Sequence, residues 1–131
     1  MSAAEPTWIE GIDVLTLHDR LLAIHGGLAG VRDMGLMQSA VARARQIAAY
    51  DESAELIGMA AAYTARIVKN HPFADGNKRT GFVIGILFLE LNGYRFIATE
   101  TAAADAVLAL AAGDLDEAGY TTFLRGAVEQ G

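Results

Sequence analysis

The sequence contains no cysteine and only two prolines in 131 residues. The absence of thiols excludes disulfide bonds, thiolate catalysis and cysteine-based zinc sites, and it is compatible with a reducing cytoplasm. A chain of this length can bury a hydrophobic core without metals or cross-links. We therefore expect one domain over residues 1–131, in which residues 1–11 are flexible or loosely attached.

Positive charge is also scarce, because 10 Lys and Arg residues stand against 16 Asp and Glu residues, for a formal net charge of −6. A broad nucleic-acid surface needs clustered cations, so no direct nucleic-acid binding is expected. The N-terminus lacks a secretory signal pattern, and the longest apolar stretch, residues 81–89, is too short to span a bilayer. We expect a soluble, cytoplasmic protein that binds a small ligand or another protein.

Apolar residues recur at helical spacing along the chain, whereas strand signal is nearly absent. A first helix carries four apolar residues on one face, namely Val14, Leu17, Leu21 and Ile24. Asp13 is its expected N-cap and Gly26 its end. After a glycine-rich loop, Asp33 is the expected N-cap of a second helix.

A third helix is expected to end near Asn70, a residue that tolerates a left-handed cap, and Pro72 disfavours helix at the position before it. A loop over residues 71–75 follows. The fourth helix begins at Gly76 and is apolar nearly all round, so we predict that it is the buried central helix. Beyond it lie an extended connection over residues 94–98 and helices over residues 101–112 and 116–128. The sequence predicts an all-α, six-helix bundle around a buried central helix.

Residues 71–81, HPFADGNKRTG, have the chemistry of an anion-binding site. The first N–H groups of a helix have no internal partner and carry the positive end of the helix dipole. Gly76 leaves room for a close approach, and Asn77, Lys78 and Arg79 add donors and two positive charges. Because two cations in a first turn are unfavourable for a bare helix, they indicate a bound phosphate.

Three further residues of this segment have candidate roles. Asp75 either caps the helix or holds a Mg²⁺ whose other ligands are phosphate oxygens, and the neighbouring cations favour the metal. His71 is suited to accept a proton from an attacking hydroxyl, although a histidine at a helix end is often only a structural cap. Phe73 is predicted to be structural and to anchor the loop to the core.

Other common sites are excluded by their patterns. A Walker A loop follows a strand, whereas residues 71–81 follow a helix, and no His-Glu-x-x-His segment occurs. His18 and His25 lie seven residues apart, but no third ligand completes a metal site. Asp116 and its acidic neighbours lack the glycine and distal glutamate of a calcium loop, so we expect them to cap the last helix.

Residues 71–79 match, position for position, the His-x-Phe-x-Asp/Asn-Ala/Gly-Asn-Lys-Arg signature of the Doc (death-on-curing) toxins. The chain thus resembles this branch of the Fic superfamily. Further agreement lies at Leu17-His18-Asp19, at residues 26–33 with Gly35-Leu36, and at Leu87-Phe88-Leu89 before Asn92-Gly93. The resemblance covers most of the chain, from about residue 14 to about residue 124.

The resemblance implies a toxin of a toxin–antitoxin module, a kinase that uses ATP and Mg²⁺. Its target would be a Ser or Thr hydroxyl of a protein, translation elongation factor Tu, so that translation and growth stop. In this chain the resemblance implies His71 as general base, Asp75 as Mg²⁺ ligand and Phe73 as a structural residue. It implies phosphate or nucleotide binding by Gly76, Asn77, Lys78 and Arg79.

Two alternatives to the kinase remain. Fic adenylyltransferases, which transfer AMP, have a glycine where this chain has Lys78, so the resemblance favours phosphate transfer over AMP transfer. A non-enzymatic binding module that keeps only the anion site is the second alternative, and the intact Asp75 and Lys78 speak against it. Many Fic proteins carry an inhibitory helix with a characteristic residue spacing. Residues 7–11 come closest to that motif in this chain, but their spacing differs from it. The resemblance therefore implies a separate antitoxin with a disordered segment that folds into a groove on the toxin.

Overall fold

The computed structural model describes residues 5–51 and 54–131. Its elements, in chain order, are α1 (Gly11–His25), α2 (Met34–Tyr50), α3 (Leu56–Asn70), α4 (Asn77–Leu91), β1 (Tyr94–Phe96), α5 (Glu100–Ala112), α6 (Glu117–Ala127) and β2 (Val128–Gln130). The two short strands pair antiparallel, with Tyr94 opposite Gln130. The predicted all-α fold with six helices is confirmed, and the extended connection after α4 contains β1. None of the helices in the described parts of the chain combines the length and apolarity that a membrane crossing requires.

The most buried helix is α3, with ten of its 15 residues buried against seven of 15 in α4. It packs against α2, α4 and α6. A buried central helix therefore exists, but its assignment to the fourth helix was wrong. The reason is that one apolar face of α4, with Phe82 and Ile86, lines an open groove and is only half-buried.

Glycines let the backbone of α4 approach α3 closely. A Cβ added at Gly85 would lie 3.1 Å from the Ala60 carbonyl oxygen and would overlap the Thr64 hydroxyl. The same hydroxyl donates to the Gly81 carbonyl at 2.7 Å. The turn at residues 71–76 connects the end of α3 to the start of α4. The close packing of the two helices therefore holds both ends of that turn in place.

The first helix begins earlier than the sequence indicated. Its N-cap is Glu10, and the backbone N–H of Glu10 donates to the Asp13 carboxylate at 2.8 Å. Asp13 is therefore the third helical residue of a capping box, which also satisfies a helix-end donor. Asp33 caps α2 as predicted, since its side chain accepts from the Leu36 N–H at 3.0 Å.

The segment before α1 is packed onto the body of the protein. Ile9 is 1% exposed, and its backbone N–H donates to the Tyr63 hydroxyl at 3.2 Å. Trp8 stacks on an aromatic ring of α4 with centroids 6.0 Å apart. The expectation that residues 1–11 are loosely attached is therefore wrong for their described part, and residues 1–4 lie outside the described residues.

Candidate active site

The turn between α3 and α4 begins with His71 in the left-handed conformation, at φ 54° and ψ 53°. Among the described residues it is the one non-glycine position with a positive φ. From the sequence this conformation was expected at Asn70, which instead stays helical and donates from its side-chain amide to the Leu36 carbonyl at 3.1 Å. The chain thus reverses at the histidine itself, and Pro72 follows directly.

The long loop between α1 and α2 supports this turn through Arg32. The Arg32 guanidinium donates to the carbonyls of His71 and Asn70, at 2.7 and 2.9 Å. Its backbone N–H donates to the Pro72 carbonyl at 2.7 Å, and the N–H of Asp33 donates to the same oxygen at 3.0 Å. A cation at the C-terminus of α3 satisfies carbonyls that the helix leaves open. The loop between α1 and α2 and the turn between α3 and α4, which no sequence pattern connects, therefore form one structural unit.

Phe73 is fully buried, and the imidazole of His18 lies on its ring with centroids 3.7 Å apart and planes 8° apart. His18 Nε2 lies 2.8 Å from the Asp75 carbonyl oxygen, and it carries the proton there because a carbonyl can only accept. His25 is exposed at the end of α1 and does not pair with His18.

His18 contributes to the turn, a role that was not predicted for it from the sequence. It is 2% exposed. The signal for it was available in the sequence, because His18 follows Val14 by four residues and precedes Leu21 by three, so it lies on the apolar face of α1. A buried polar side chain on such a face needs a hydrogen-bond partner, and the Asp75 carbonyl supplies it.

The side chain of Asn77 is buried in the turn and is hydrogen-bonded to its backbone. Its Oδ1 accepts from the Phe73 N–H at 3.0 Å, and its Nδ2 donates to the Phe73 carbonyl at 3.0 Å. The same Nδ2 lies 3.2 Å from Nδ1 of His71, and Asn77 is 3% exposed. With every polar atom of this side chain committed, a phosphate contact from Asn77 is restricted to its backbone N–H.

The first turn of α4 is open to an anion. Gly76 precedes it at φ 78°, and no side chain caps the helix. The first helical bond runs from the Thr80 N–H to the Gly76 carbonyl at 3.0 Å. The backbone N–H groups of Asn77, Lys78 and Arg79 have no acceptor among the described residues. Three converging donors at the positive end of a helix dipole are suited to a phosphate.

The turn and this helix end enclose a polar cavity of about 270 Å³. It is lined by His71, Ala74, Asp75, Gly76, Asn77, Lys78 and Arg79. The predicted site residues thus share one cavity, except Phe73, which is buried. Lys78 and Arg79 are exposed, and neither forms an ion pair in the described parts of the chain. The cavity therefore presents unneutralised positive charge at its helix end.

The carboxylate of Asp75 is exposed at the edge of the cavity. One oxygen accepts from the Gly76 N–H at 2.8 Å, and the other accepts from the Leu28 N–H at 3.3 Å. Each oxygen keeps a lone pair for a cation. The described residues hold no cluster of three metal-ligating side chains. This donor set fits Mg²⁺, which is commonly held by one or two carboxylates together with substrate phosphates.

Fold and site together define an all-helical protein with a polar cavity at an open helix N-terminus, flanked by one histidine, one carboxylate and two cations. The sequence model of the Fic/DOC family matches residues 8–89. The protein named "Protein kinase doc" of Escherichia phage P1 is 30% identical over 113 residues, which are 86% of this chain and 89% of that protein. "Toxin Doc" of Mycolicibacterium smegmatis is 39% identical over 74 residues, 56% of this chain and 57% of that protein. The chain belongs to the Fic/Doc family.

Proposed function

We propose that this protein is the toxin of a toxin–antitoxin module and acts as a Mg²⁺-dependent kinase that transfers phosphate from ATP to a protein. The observation that carries the proposal is the set of free N–H groups at the start of α4, which faces the same cavity as His71, Lys78 and Arg79. The relative of phage P1 is named a kinase, which supports phosphate as the transferred group.

In the proposed reaction, a Ser or Thr hydroxyl oxygen of the target forms a bond to the γ-phosphorus of ATP. The bond from that phosphorus to the bridging oxygen breaks, and ADP leaves. His71 accepts the hydroxyl proton, while the α4 N–H groups, Lys78 and Arg79 neutralise the phosphate charge. Catalysis then consists mainly of positioning and charge neutralisation.

Asp75 is the proposed ligand of the Mg²⁺ that accompanies ATP. Bound there, the ion would neutralise charge on the phosphate oxygens. The Gly76 and Leu28 N–H groups orient the carboxylate, so the loop between α1 and α2 contributes to this position. Replacing Asp75 with Asn keeps an oxygen acceptor but removes the charge. We expect that variant to require a much higher Mg²⁺ concentration for transfer.

The proposed target is translation elongation factor Tu, whose phosphorylation would arrest translation and growth in the cytoplasm. The test is incubation of purified elongation factor Tu with this protein and ATP labelled at either the γ- or the α-phosphate. A kinase transfers only the γ-label, whereas an adenylyltransferase transfers only the α-label, and mass spectrometry then identifies the modified residue. If neither label is transferred in a lysate that contains all candidate targets, the transferase proposal fails.

His71→Asn is the sharpest inactive control, because asparagine tolerates the left-handed conformation that His71 adopts. The variant should fold, bind nucleotide and fail to transfer label. His71→Ala should behave in the same way with a small additional loss of stability. Growth arrest that persists in a double variant lacking both His71 and Asp75 would favour a non-enzymatic binding module instead.

The proposed antitoxin contact is an apolar groove of about 490 Å³ between α4, β1 and α5. Its walls include Phe82, Ile86, Phe96 and Leu108, and Leu108 is 55% exposed. Lys78, Arg79 and Glu100 also line the groove and give it a net positive charge, so we propose that an amphipathic, acidic antitoxin segment folds there. Replacing Leu108 with Glu should weaken neutralisation by the antitoxin while phosphate transfer continues. Unchanged neutralisation would contradict this assignment.

A further inference from the structure

The hydrogen bonds around Asn77 determine which nitrogen of His71 carries a proton. The Phe73 N–H can only donate, so the atom of Asn77 that faces it, at 3.0 Å, is the oxygen. The amide nitrogen then faces the Phe73 carbonyl at 3.0 Å and His71 Nδ1 at 3.2 Å. An amide NH₂ group only donates, so Nδ1 of His71 must accept. A neutral imidazole that accepts at Nδ1 carries its proton at Nε2.

We propose that Asn77 is a positioning residue that holds the resting imidazole of His71 in the Nε2-protonated form. In this form His71 offers a donor, not a basic lone pair, at the nitrogen that Asn77 leaves free. The contact between Asn77 and Nδ1 must therefore be released before Nε2 can take the proton of a target hydroxyl. The last step rests on the proposed kinase function, whereas the tautomer does not.

The burial of the two residues explains why the contact matters. Asn77 is 3% exposed and is tied to the backbone of Phe73, so it cannot turn away on its own. His71 is exposed and can exchange protons with water. In the alternative tautomer the Nδ1–H group would oppose the Asn77 N–H, two donors with no acceptor between them. Loss of one hydrogen bond corresponds to a bias of roughly two- to tenfold toward the Nε2-protonated form.

The test is ¹⁵N NMR of the histidine side chains in the full chain, without nucleotide or target. The sequence has three histidines, so His71→Asn and His25→Gln variants assign the signals. We expect His71 to show an unprotonated Nδ1 and a protonated Nε2, with a coupling across the hydrogen bond between Asn77 Nδ2 and His71 Nδ1. A protonated Nδ1 in the neutral ring would overturn the proposal.

Two variants separate the tautomer effect from loosening of the turn. Asn77→Asp places an acceptor opposite Nδ1, so the proton should move to Nδ1 and leave Nε2 bare. Asn77→Ala removes the contact without supplying an acceptor, so the bias should fall toward the intrinsic preference of a free histidine side chain. His18 is the internal reference, since its Nε2–H bond to the Asp75 carbonyl should survive in an intact turn. Unchanged His71 signals in both variants, with His18 native-like, would show that Asn77 does not set the tautomer.

The two proposals can fail separately. If the ¹⁵N spectra of the wild type and of the Asn77 variants follow the expected pattern and no label reaches any protein, the kinase proposal fails while the role of Asn77 stands. If label is transferred but Nδ1 of His71 is protonated at rest, the kinase proposal stands and Asn77 has no part in setting the tautomer. The wild-type spectrum decides the resting tautomer even if a variant does not fold. The variants decide whether Asn77 sets that tautomer.

Discussion

The imidazole of His18 lies flat on the ring of Phe73, with centroids 3.7 Å apart, and donates from Nε2 to the Asp75 carbonyl at 2.8 Å. One side chain of α1 thereby contacts the buried anchor of the turn and the residue proposed to hold the metal. The ring contact and the hydrogen bond are separable by substitution, because one needs a flat ring and the other needs a donor at the Nε2 position.

We predict that His18→Phe, which keeps a ring on Phe73 but loses the donor, raises the KM for Mg·ATP roughly two- to tenfold, as expected for one lost hydrogen bond. His18→Gln keeps a donor near the Nε2 position and loses the stack. It should retain the KM and lose mainly thermal stability. Steady-state kinetics and thermal unfolding of both variants separate the two contacts.

His25→Phe is the matched control for this pair, since His25 is exposed at the end of the same helix. Its KM should equal that of the wild type. If His18→Phe also leaves the KM unchanged while it folds normally, the bond to Asp75 has no influence on the nucleotide site.

Arg32 gives a second prediction, because its planar guanidinium contacts two consecutive carbonyls, those of Asn70 and His71. Lysine cannot reproduce this two-pronged geometry. We expect Arg32→Lys to lower the free energy of unfolding by about 1–2 kcal/mol and to reduce transfer, since His71 loses a support. Arg20→Lys, at an exposed position of α1, should change neither quantity. Urea unfolding and label transfer are measured on both variants. Equal values for Arg32→Lys and Arg20→Lys would contradict the proposed support of the turn by Arg32.

The sequence predicted most of the fold and grouped the residues that line the cavity, because both depend on local patterns. Apolar patterns and helix-end signals located the six helices, and the expected start of the fourth helix at Gly76 lies next to its observed start at Asn77. Long-range contacts were not predictable in this way. The contact of His18 with Phe73 depends on how α1 packs against the turn, which periodicity alone does not determine. The bonds between Asn77 and Phe73 span only four residues, but they depend on the side-chain conformation inside the turn and were not predictable either.

The error about the central helix has a similar cause. The fourth helix is the more apolar along its surface, but α3 is the more buried, because its alanines allow neighbours to pack closely on several sides. The excess apolar surface of α4 lines the open groove between α4, β1 and α5. Apolarity measures how much surface a helix can bury, and part of the apolar surface of α4 stays exposed in this chain.

Gly85 supplies a third prediction, on stability. A methyl group there would overlap the Thr64 hydroxyl and lie 3.1 Å from the Ala60 carbonyl oxygen. We expect Gly85→Ala to destabilise the protein by about 1–3 kcal/mol, the usual cost of overpacking. Gly58→Ala is a control of opposite sign, because Gly58 lies in α3 with open space around it. It should stabilise the helix by up to about 1 kcal/mol. Equal effects in urea unfolding would contradict the proposed close approach of α3 and α4.

Tyr120 provides a prediction on pH dependence. It is fully buried, and its hydroxyl has no hydrogen-bond partner of good geometry among the described residues. Burial raises the pKa of Tyr120 to about 12, against a smaller lowering effect of the nearby Thr64 hydroxyl. The unfolded chain, with a tyrosine pKa near 10.0, loses this proton first as the pH rises. Between these two pKa values the folded state binds more protons than the unfolded state, so stability falls with rising pH.

Tyr120→Phe removes this proton and its pH dependence. Relative to the variant, the wild type should lose up to about 1.4 kcal/mol of unfolding free energy per pH unit between pH 10 and 12. Near neutral pH the variant should be about as stable as the wild type, because the deleted hydroxyl leaves no partner unsatisfied. Tyr50→Phe, at a position 90% exposed, should show no such divergence. Parallel stability curves for wild type and Tyr120→Phe across this alkaline range would mean that the phenol ionises as readily in the folded protein as in the unfolded chain.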